Sequence, residues 1–435
     1  VTDIAAKYGL NLNHLVDQIN RAIQNTTIST KFKNTNHKIR SKRMKARKIK
    51  EEVYWMGSVD WDRRLFDALV PLPDGTSYNA YLIKGSEKTA LIDTVDPPMA
   101  KEFMAQLEGV KNIDYIISSH AEQDHSGTIM QVLEKYPNAK LISTPKAKDL
   151  LKDLLNIPEN FFVSIEDGET LSLGDKTLKF IFTPWVHWPE TMVTFLEEDK
   201  ILFSCDFFGS HIASSDLFVT DQGRVYEAAK RYFAEIMMPF RSIIKKNMEK
   251  LAPYDIEMIA PGHGQIFPDS SFILDAYKKW TEGAPRNTVV IPYVSMHEST
   301  RLMVEHLVGA LVDKGVRVEQ FNLAVTDIGK LAMALMDAAT IVVGTPTILS
   351  GPHPYAAYAA FLANALRPNT KFLSVVGSYG WGGKTVDTLA GMIPNLKVEV
   401  IDPVLCKGVP NASVFNALDD LAGAIARKHK ENDYR

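Results

Sequence analysis

Cysteine is nearly absent: the 435-residue chain holds two, Cys205 and Cys406, far apart in sequence. A disulfide framework needs paired cysteines in an oxidising compartment, and iron–sulfur clusters or thiolate zinc sites need several thiols close together. Both are excluded, and free thiols in a reducing cytosol are expected. No apolar run approaches the ~18 residues of a membrane span, and no secretory signal pattern opens the chain. No membrane partner is expected, and the expected location is cytoplasmic. Net charge is scarce too, with 49 basic residues against 52 acidic ones and a formal charge of -3. That balance gives no case for a nucleic-acid partner.

What is present is the composition of a globular protein, 46% hydrophobic and 23% charged. The length calls for more than one core, so two large domains are expected. Residues 1–43 read as an appendage outside them. Ile4, Leu12, Leu15, Val16, Ile19 and Ile23 suit a helical face. A linker follows, carrying ten Lys or Arg and no acid between Lys31 and Lys50. Only Phe32 is interleaved there, so a solvated linker is the better reading than a nucleic-acid arm.

From 44 to about 285, short strand patterns are separated by turns and mixed with helical stretches, which points to packed sheets flanked by helices. The densest chemistry lies in Tyr115-Ile-Ile-Ser-Ser-His120-Ala-Glu122-Gln-Asp124-His125. A strand delivers His120, and the turn after it must aim Glu122, Asp124 and His125 back at one point. Burying those groups unpaired would be costly, and metal coordination supplies the compensation. His187, Asp206 and His263 each follow another apolar strand. His263 stands between glycines that let backbone bend around a ligand.

This order resembles the metallo-β-lactamase superfamily. The zinc hydrolases of that superfamily carry a second histidine where this chain has Glu122, and the extra carboxylate makes the site harder, favouring iron. His-x-Glu-x-Asp-His, with His187-Trp-Pro-Glu and Ser204-Cys-Asp-Phe-Phe-Gly-Ser-His211, is similar to the flavodiiron proteins. The resemblance implies two non-haem irons. One would be held by His120, Glu122 and His187, the other by Asp124, His125 and His263, with Asp206 bridging. His211 lies in the motif but is not a ligand in that family. Two readings stay open for it: a residue just outside the ligands that orients one or supplies a proton, or a surface turn residue.

From 286 to 430, five strands alternate with helices, the pattern of a doubly wound parallel sheet. Ligands on such sheets bind at the carboxyl ends of the strands. Three loops there stand out. The first is Ser295-Met296-His297-Glu298-Ser299-Thr300, with hydroxyls at a helix start suited to phosphate. The second is Pro346-Thr347-Ile348-Leu349, and the third includes Ser378-Tyr379-Gly380-Trp381-Gly382-Gly383. Together they resemble the phosphate loop and the two flavin-flanking loops of flavodoxins, which implies non-covalent FMN.

The expected architecture is thus mixed α/β and α+β: a metallo-β-lactamase-like αββα sandwich, then a flavodoxin-like domain. The resemblance implies an oxidoreductase that reduces dioxygen to water, nitric oxide to nitrous oxide, or both. Electrons would come from a donor such as rubredoxin or a reduced deazaflavin. It also implies a head-to-tail homodimer, or a dimer of dimers, that sets one chain's flavin beside the other's irons. A zinc hydrolase carrying a flavodoxin-like domain is the alternative.

Overall fold

The computed structural model describes residues 46–434; the expected helical appendage and most of the basic linker lie outside them. Two sheets face each other in the first domain. The seven-stranded one runs in the order Arg47–Lys50, Val53–Trp55, Tyr81–Lys84, Thr89–Ile92, Tyr115–Ile117, Lys140–Ser143, Phe162–Ser164. The five-stranded one runs Thr170–Ser172, Thr177–Phe182, Met192–Leu196, Ile201–Cys205, Met258–Pro261.

Alternation along the strands explains the layering. Phe203 points between the sheets, among Tyr81, Ile92 and Ile117. Its neighbour Leu202 points the other way, into a core with Val225, Tyr232, Ile244 and Tyr277 from three covering helices. Those helices are Gln222–Tyr232, Arg241–Leu251 and Ser271–Glu282. On the opposite flank, Leu91 and Ile116 pack on Phe103, Ile129, Val132 and Leu151. The result is the αββα sandwich. Each Leu, Ile or Phe fully buried this way contributes roughly 1.5–3 kcal/mol.

The second domain has a parallel sheet in the order Arg317–Asn322, Arg286–Tyr293, Ala338–Gly344, Phe372–Tyr379, Glu399–Val400. Val404–Lys407 pairs with the far half of Phe372–Tyr379. Here too both faces are buried. Val289 and Ile291 meet the helices Ser299–Asp313 and Ala412–Glu431, and Val290 meets Ile328–Leu335 and Pro354–Leu366. The expected doubly wound sheet is observed with a sixth strand. Val404–Lys407 is too short and too mixed in character to stand out from a loop in the sequence.

The domains are not loosely strung. Ala332, Met336 and Leu366 of the second belong to the same buried cluster as Tyr232, Phe233 and Met237 of the first. Among the described residues, no helix is long and apolar enough to cross a membrane.

Candidate functional site

The seven residues singled out in the first domain converge at one end of the sandwich. His120 follows Tyr115–Ile117, Asp206 directly follows Ile201–Cys205, and His263 follows Met258–Pro261. Asp124 and His125 sit on a short helix, Gln123–Ser126, rather than on an open turn. The ligand-type atoms of His120, Glu122, His187 and Asp206 lie within 4.8 Å of one another, as do those of Asp124, His125 and His263.

Asp206 faces both groups with different oxygens. Its Oδ1 is 2.9 Å from His125 Nε2 and 3.4 Å from His263 Nε2. Its Oδ2 is 3.5 Å from His120 Nε2 and 3.4 Å from His187 Nε2. Glu122 Oε2 adds contacts of 3.0 Å to His120 and 3.2 Å to His187, and Asp124 Oδ2 lies 3.1 Å from His263. Close backbone approach makes this possible. A Cβ on Gly262 would stand 2.7 Å from His125 Cε1, so no other residue fits there without displacement.

So many buried carboxylates demand positive charge. Burial pushes Asp206 up, but His125, His187 and His263 outweigh it and hold the group well below the usual carboxylate range. Burial pushes His263 down, yet Asp124 and Asp206 hold it up at about 10. His187 behaves alike, lifted to about 9 against burial by Asp206 and Glu122. Hydrogen bonding does not complete the site. Among the described residues, both oxygens of Asp124, Nε2 of His125 and Oδ1 of Asp206 are buried without a hydrogen-bond partner. Buried polar atoms left this way are rare in native proteins, and a cation at each group would satisfy them. The donor set is imidazole and carboxylate only, which suits iron or another hard-to-borderline ion.

Around these seven stands a layer that the sequence does not expose. Glu190 Oε1 is 2.7 Å from Nδ1 of His120 and also accepts from Ala121 N at 3.1 Å. The Ser77 carbonyl is 2.7 Å from Nδ1 of His263. Asp93 and Cys205 gather at His125, and Asp93 accepts from Ser119 N at 2.7 Å. The Glu190 and Ser77 contacts fix which nitrogen of His120 and of His263 is free to ligate. Glu190 belongs to the His187-Trp-Pro-Glu motif, so its presence is visible in the sequence although its role is not.

His211 is not a surface turn residue. It is 4% exposed, with Nδ1 2.9 Å from the Thr76 hydroxyl and its ring 4.7 Å from that of His263. Burial, aided by His263, pushes its pKa well down, so it is neutral. Phe66 and Tyr232 hold it from two sides, at ring distances of 5.2 and 4.9 Å.

In the second domain, a cavity of about 310 Å³ opens at the carboxyl ends of the strands. Of the residues expected there, Met296, His297, Ser299, Pro346, Thr347, Ser378, Tyr379 and Gly380 line it. Ser295, Glu298, Thr300, Ile348, Leu349, Trp381, Gly382 and Gly383 do not line it directly. Several of them support it. Thr300 Oγ1 is 3.0 Å from Ser378 Oγ, tying the first loop to the third. Gly383 must be small, because a Cβ would meet Thr347 Cγ2 at 2.7 Å. Trp381 and Leu349 are 69% and 88% exposed and stand free of the wall. Gly408 and Val409, which follow the sixth strand, line the cavity as well.

A family profile described as "ODP family beta lactamase" matches residues 76–264. The chain is 36% identical to the nitric oxide reductase of Moorella thermoacetica, over 81% of this chain and 90% of that protein. It is 32% identical to the anaerobic nitric oxide reductase flavorubredoxin of Salmonella typhi, over 87% and 82%. Among solved structures, rubredoxin oxygen:oxidoreductase from Desulfovibrio gigas superposes with a TM-score of 0.85 at 32% identity, covering 89% of this chain and 99% of that one. The flavodiiron protein from Giardia intestinalis gives 0.81 at 26%, over 90% and 99%. With both domains and their order matched, the chain belongs to the flavodiiron proteins and is an oxidoreductase.

Proposed function

We propose that the chain reduces dioxygen to water, nitric oxide to nitrous oxide, or both, at a pair of non-haem irons supplied with electrons by FMN. The observation that carries this reading is the division of Asp206 between two clusters of imidazole and carboxylate. Its Oδ1 is directed to His125 and His263, its Oδ2 to His120 and His187. A carboxylate placed so can hold two ions ~3.5–4 Å apart. In this assignment His120, Glu122 and His187 hold one iron, and Asp124, His125 and His263 the other.

When bound, the irons supply electrons and open positions for a small gas, and the flavin supplies the electrons that restore them. The chain's own residues do the rest. Glu190 orients His120, and the Ser77 carbonyl orients His263. The apolar walls at Phe66 and Tyr232 limit water around the buried side of the site. In the second domain, the Ser295–Thr300 loop is suited to the flavin phosphate, and Tyr379 and Gly380 to the ring. The names of the Moorella, Salmonella and Desulfovibrio proteins support gaseous substrates and a rubredoxin-type donor, with a reduced deazaflavin as the other candidate.

Electron transfer then calls for a head-to-tail homodimer. Among the described residues, the second-domain cavity is lined by second-domain residues alone. Large apolar side chains stand exposed beside each site: Trp61, Leu65 and Leu69 in the first domain, and Leu349, Trp381 and Val409 in the second. Opposing those patches would cover both.

The test is metal and flavin analysis of purified protein, then anaerobic reduction and mixing with dioxygen or nitric oxide. Two irons and one FMN per chain, with rapid gas consumption, are expected. Zinc in place of iron, with ester or thioester hydrolysis and no gas consumption, would overturn the proposal in favour of the hydrolase.

A further inference from the structure

A second cavity, of about 70 Å³, lies where the chain crosses between the domains at Gly283 and Ala284. Its wall brings together Lys230, Arg241, Lys279 and Arg286, and beside them the rings of Tyr226 and Trp280. The carboxylate in that wall, Asp337, is already committed to Arg286, whose Nε lies 2.9 Å from its Oδ2. Lys230 and Lys279 make no ion pair among the described residues. Arg241 donates from Nη2 to the Met336 carbonyl at 2.9 Å, while its Nε–H is buried with no partner among the described residues. Four cations, one of them a largely buried guanidinium, therefore face one space in which Asp337 is the single carboxylate of the wall among the described residues. Burying a cation unpaired is costly, and an anion is the economical remedy.

We propose that this interdomain cavity binds a phosphate monoester. Lys and Arg converging on one point suit a doubly charged phosphate better than a carboxylate, because phosphate offers an oxygen to each donor. Tyr226 is about one-third exposed, and its hydroxyl accepts from Trp280 Nε1 at 3.2 Å, which holds the phenol ring in place at the cavity. That ring offers a flat face to the organic group of the ester. Burial pushes the Arg241 pKa down against the pull of Asp337, in keeping with a guanidinium short of negative charge.

The position separates this cavity from the flavin loops. Arg286 and Asp337 stand at the starts of their strands, whereas the flavin loops follow strand ends. Lys230, Arg241 and Lys279 come from the three helices that cover the first domain, so a bound ester ties those helices to the second domain across the linker.

Isothermal titration of the flavin-loaded dimer, at constant ionic strength set with chloride, tests the site. The probes are inorganic phosphate and adenosine 5′-monophosphate. Saturable binding of both is expected, at least tenfold tighter for the nucleotide because of Tyr226. The charge-reversed Lys230→Glu/Lys279→Glu protein should weaken both at least tenfold. Neither ammonium makes an ion pair, so that protein should keep the parent far-UV spectrum and iron content. The Lys230→Arg/Lys279→Arg protein should bind as the parent does. No saturable heat from either probe, or equal affinity in the charge-reversed protein, overturns the proposal. Equal affinity for phosphate and nucleotide overturns the role given to Tyr226.

Discussion

The Arg231 guanidinium grips both carboxylate oxygens of Asp327, at 2.9 and 2.8 Å, and so fastens the first domain to the second. Asp327 also caps the Ile328–Leu335 helix by accepting from Gly329 N at 2.9 Å. One side chain thus serves a helix start and a domain junction together. Asp327→Ala should cost about 3 kcal/mol, the lower end for breaking a buried ion pair, since Asp327 is partly exposed. Chemical denaturation is the measurement. A midpoint unchanged from the parent would mean that the hydrophobic contacts of Ala332, Met336 and Leu366 hold the junction unaided.

Glu235, one turn beyond Arg231, makes a pH prediction. Its side chain is 6% exposed, and neither carboxyl oxygen has a hydrogen-bond partner among the described residues. Burial, with Asp327 adding to it, pushes the pKa up from 4.5 to about 8 against the pull of Arg231. The folded chain therefore keeps this proton up to about pH 8, while the unfolded chain releases it near 4.5. Between those values the folded state binds more protons, so this group lowers stability progressively as pH rises through the window. Glu235→Gln should match the parent at about pH 4.5 and exceed it by a few kcal/mol at about pH 8. Unfolding free energies that run parallel across that range would show that Glu235 ionises normally.

Glu190 supplies a third test, beside the metal rather than on it. Its carboxylate fixes His120 through Nδ1 at 2.7 Å. Removing such a support typically lowers metal affinity about 10–100-fold. Glu190→Gln should lose iron to a chelator correspondingly faster, with its far-UV spectrum unchanged. Iron retention equal to the parent's would mean that packing against Trp188, edge-on to His120 at 5.0 Å, is enough to orient the ring.

The seven candidate ligands are legible in the sequence because His120, His187, Asp206 and His263 each follow an apolar strand, and Glu122, Asp124 and His125 crowd the segment directly after His120. A His or Asp after Tyr115–Ile117 or Ile201–Cys205 has no packing reason to be there. Their supports are not legible. Ser77 and Glu190 reach the His263 and His120 imidazoles from other parts of the chain, Asp93 lies close to His125, and only the folded sandwich brings them near. The same holds for Phe66, on a short ribbon whose pairing with Val70–Pro71 leaves little pattern. In the second domain, alternation of apolar strands and helices discloses the sheet, since both its faces are buried. Val404–Lys407 stays hidden because two of its four residues face outward, and Gly408 and Val409 stay hidden with it. The Arg231–Asp327 junction joins residues almost a hundred positions apart, and sequence spacing carries no trace of such pairs.

Asp206 distinguishes a shared ligand from a private one. Its two oxygens face separate groups, at 2.9 Å from His125 on one side and 3.4 Å from His187 on the other. If it bridges, removing it strips one ligand from each ion and also the negative charge that holds two cations close together. Asp206→Ala should then emerge with neither iron, and gas consumption should be lost. Glu122→Ala provides the contrast, because Glu122 contacts His120 and His187 but none of the Asp124 group. That protein should lose chiefly the iron on its own side. Iron counted per chain and the magnetic coupling of the pair separate the cases. An Asp206→Ala protein that keeps one iron firmly would place Asp206 on a single ion, and the two clusters would then be independent sites.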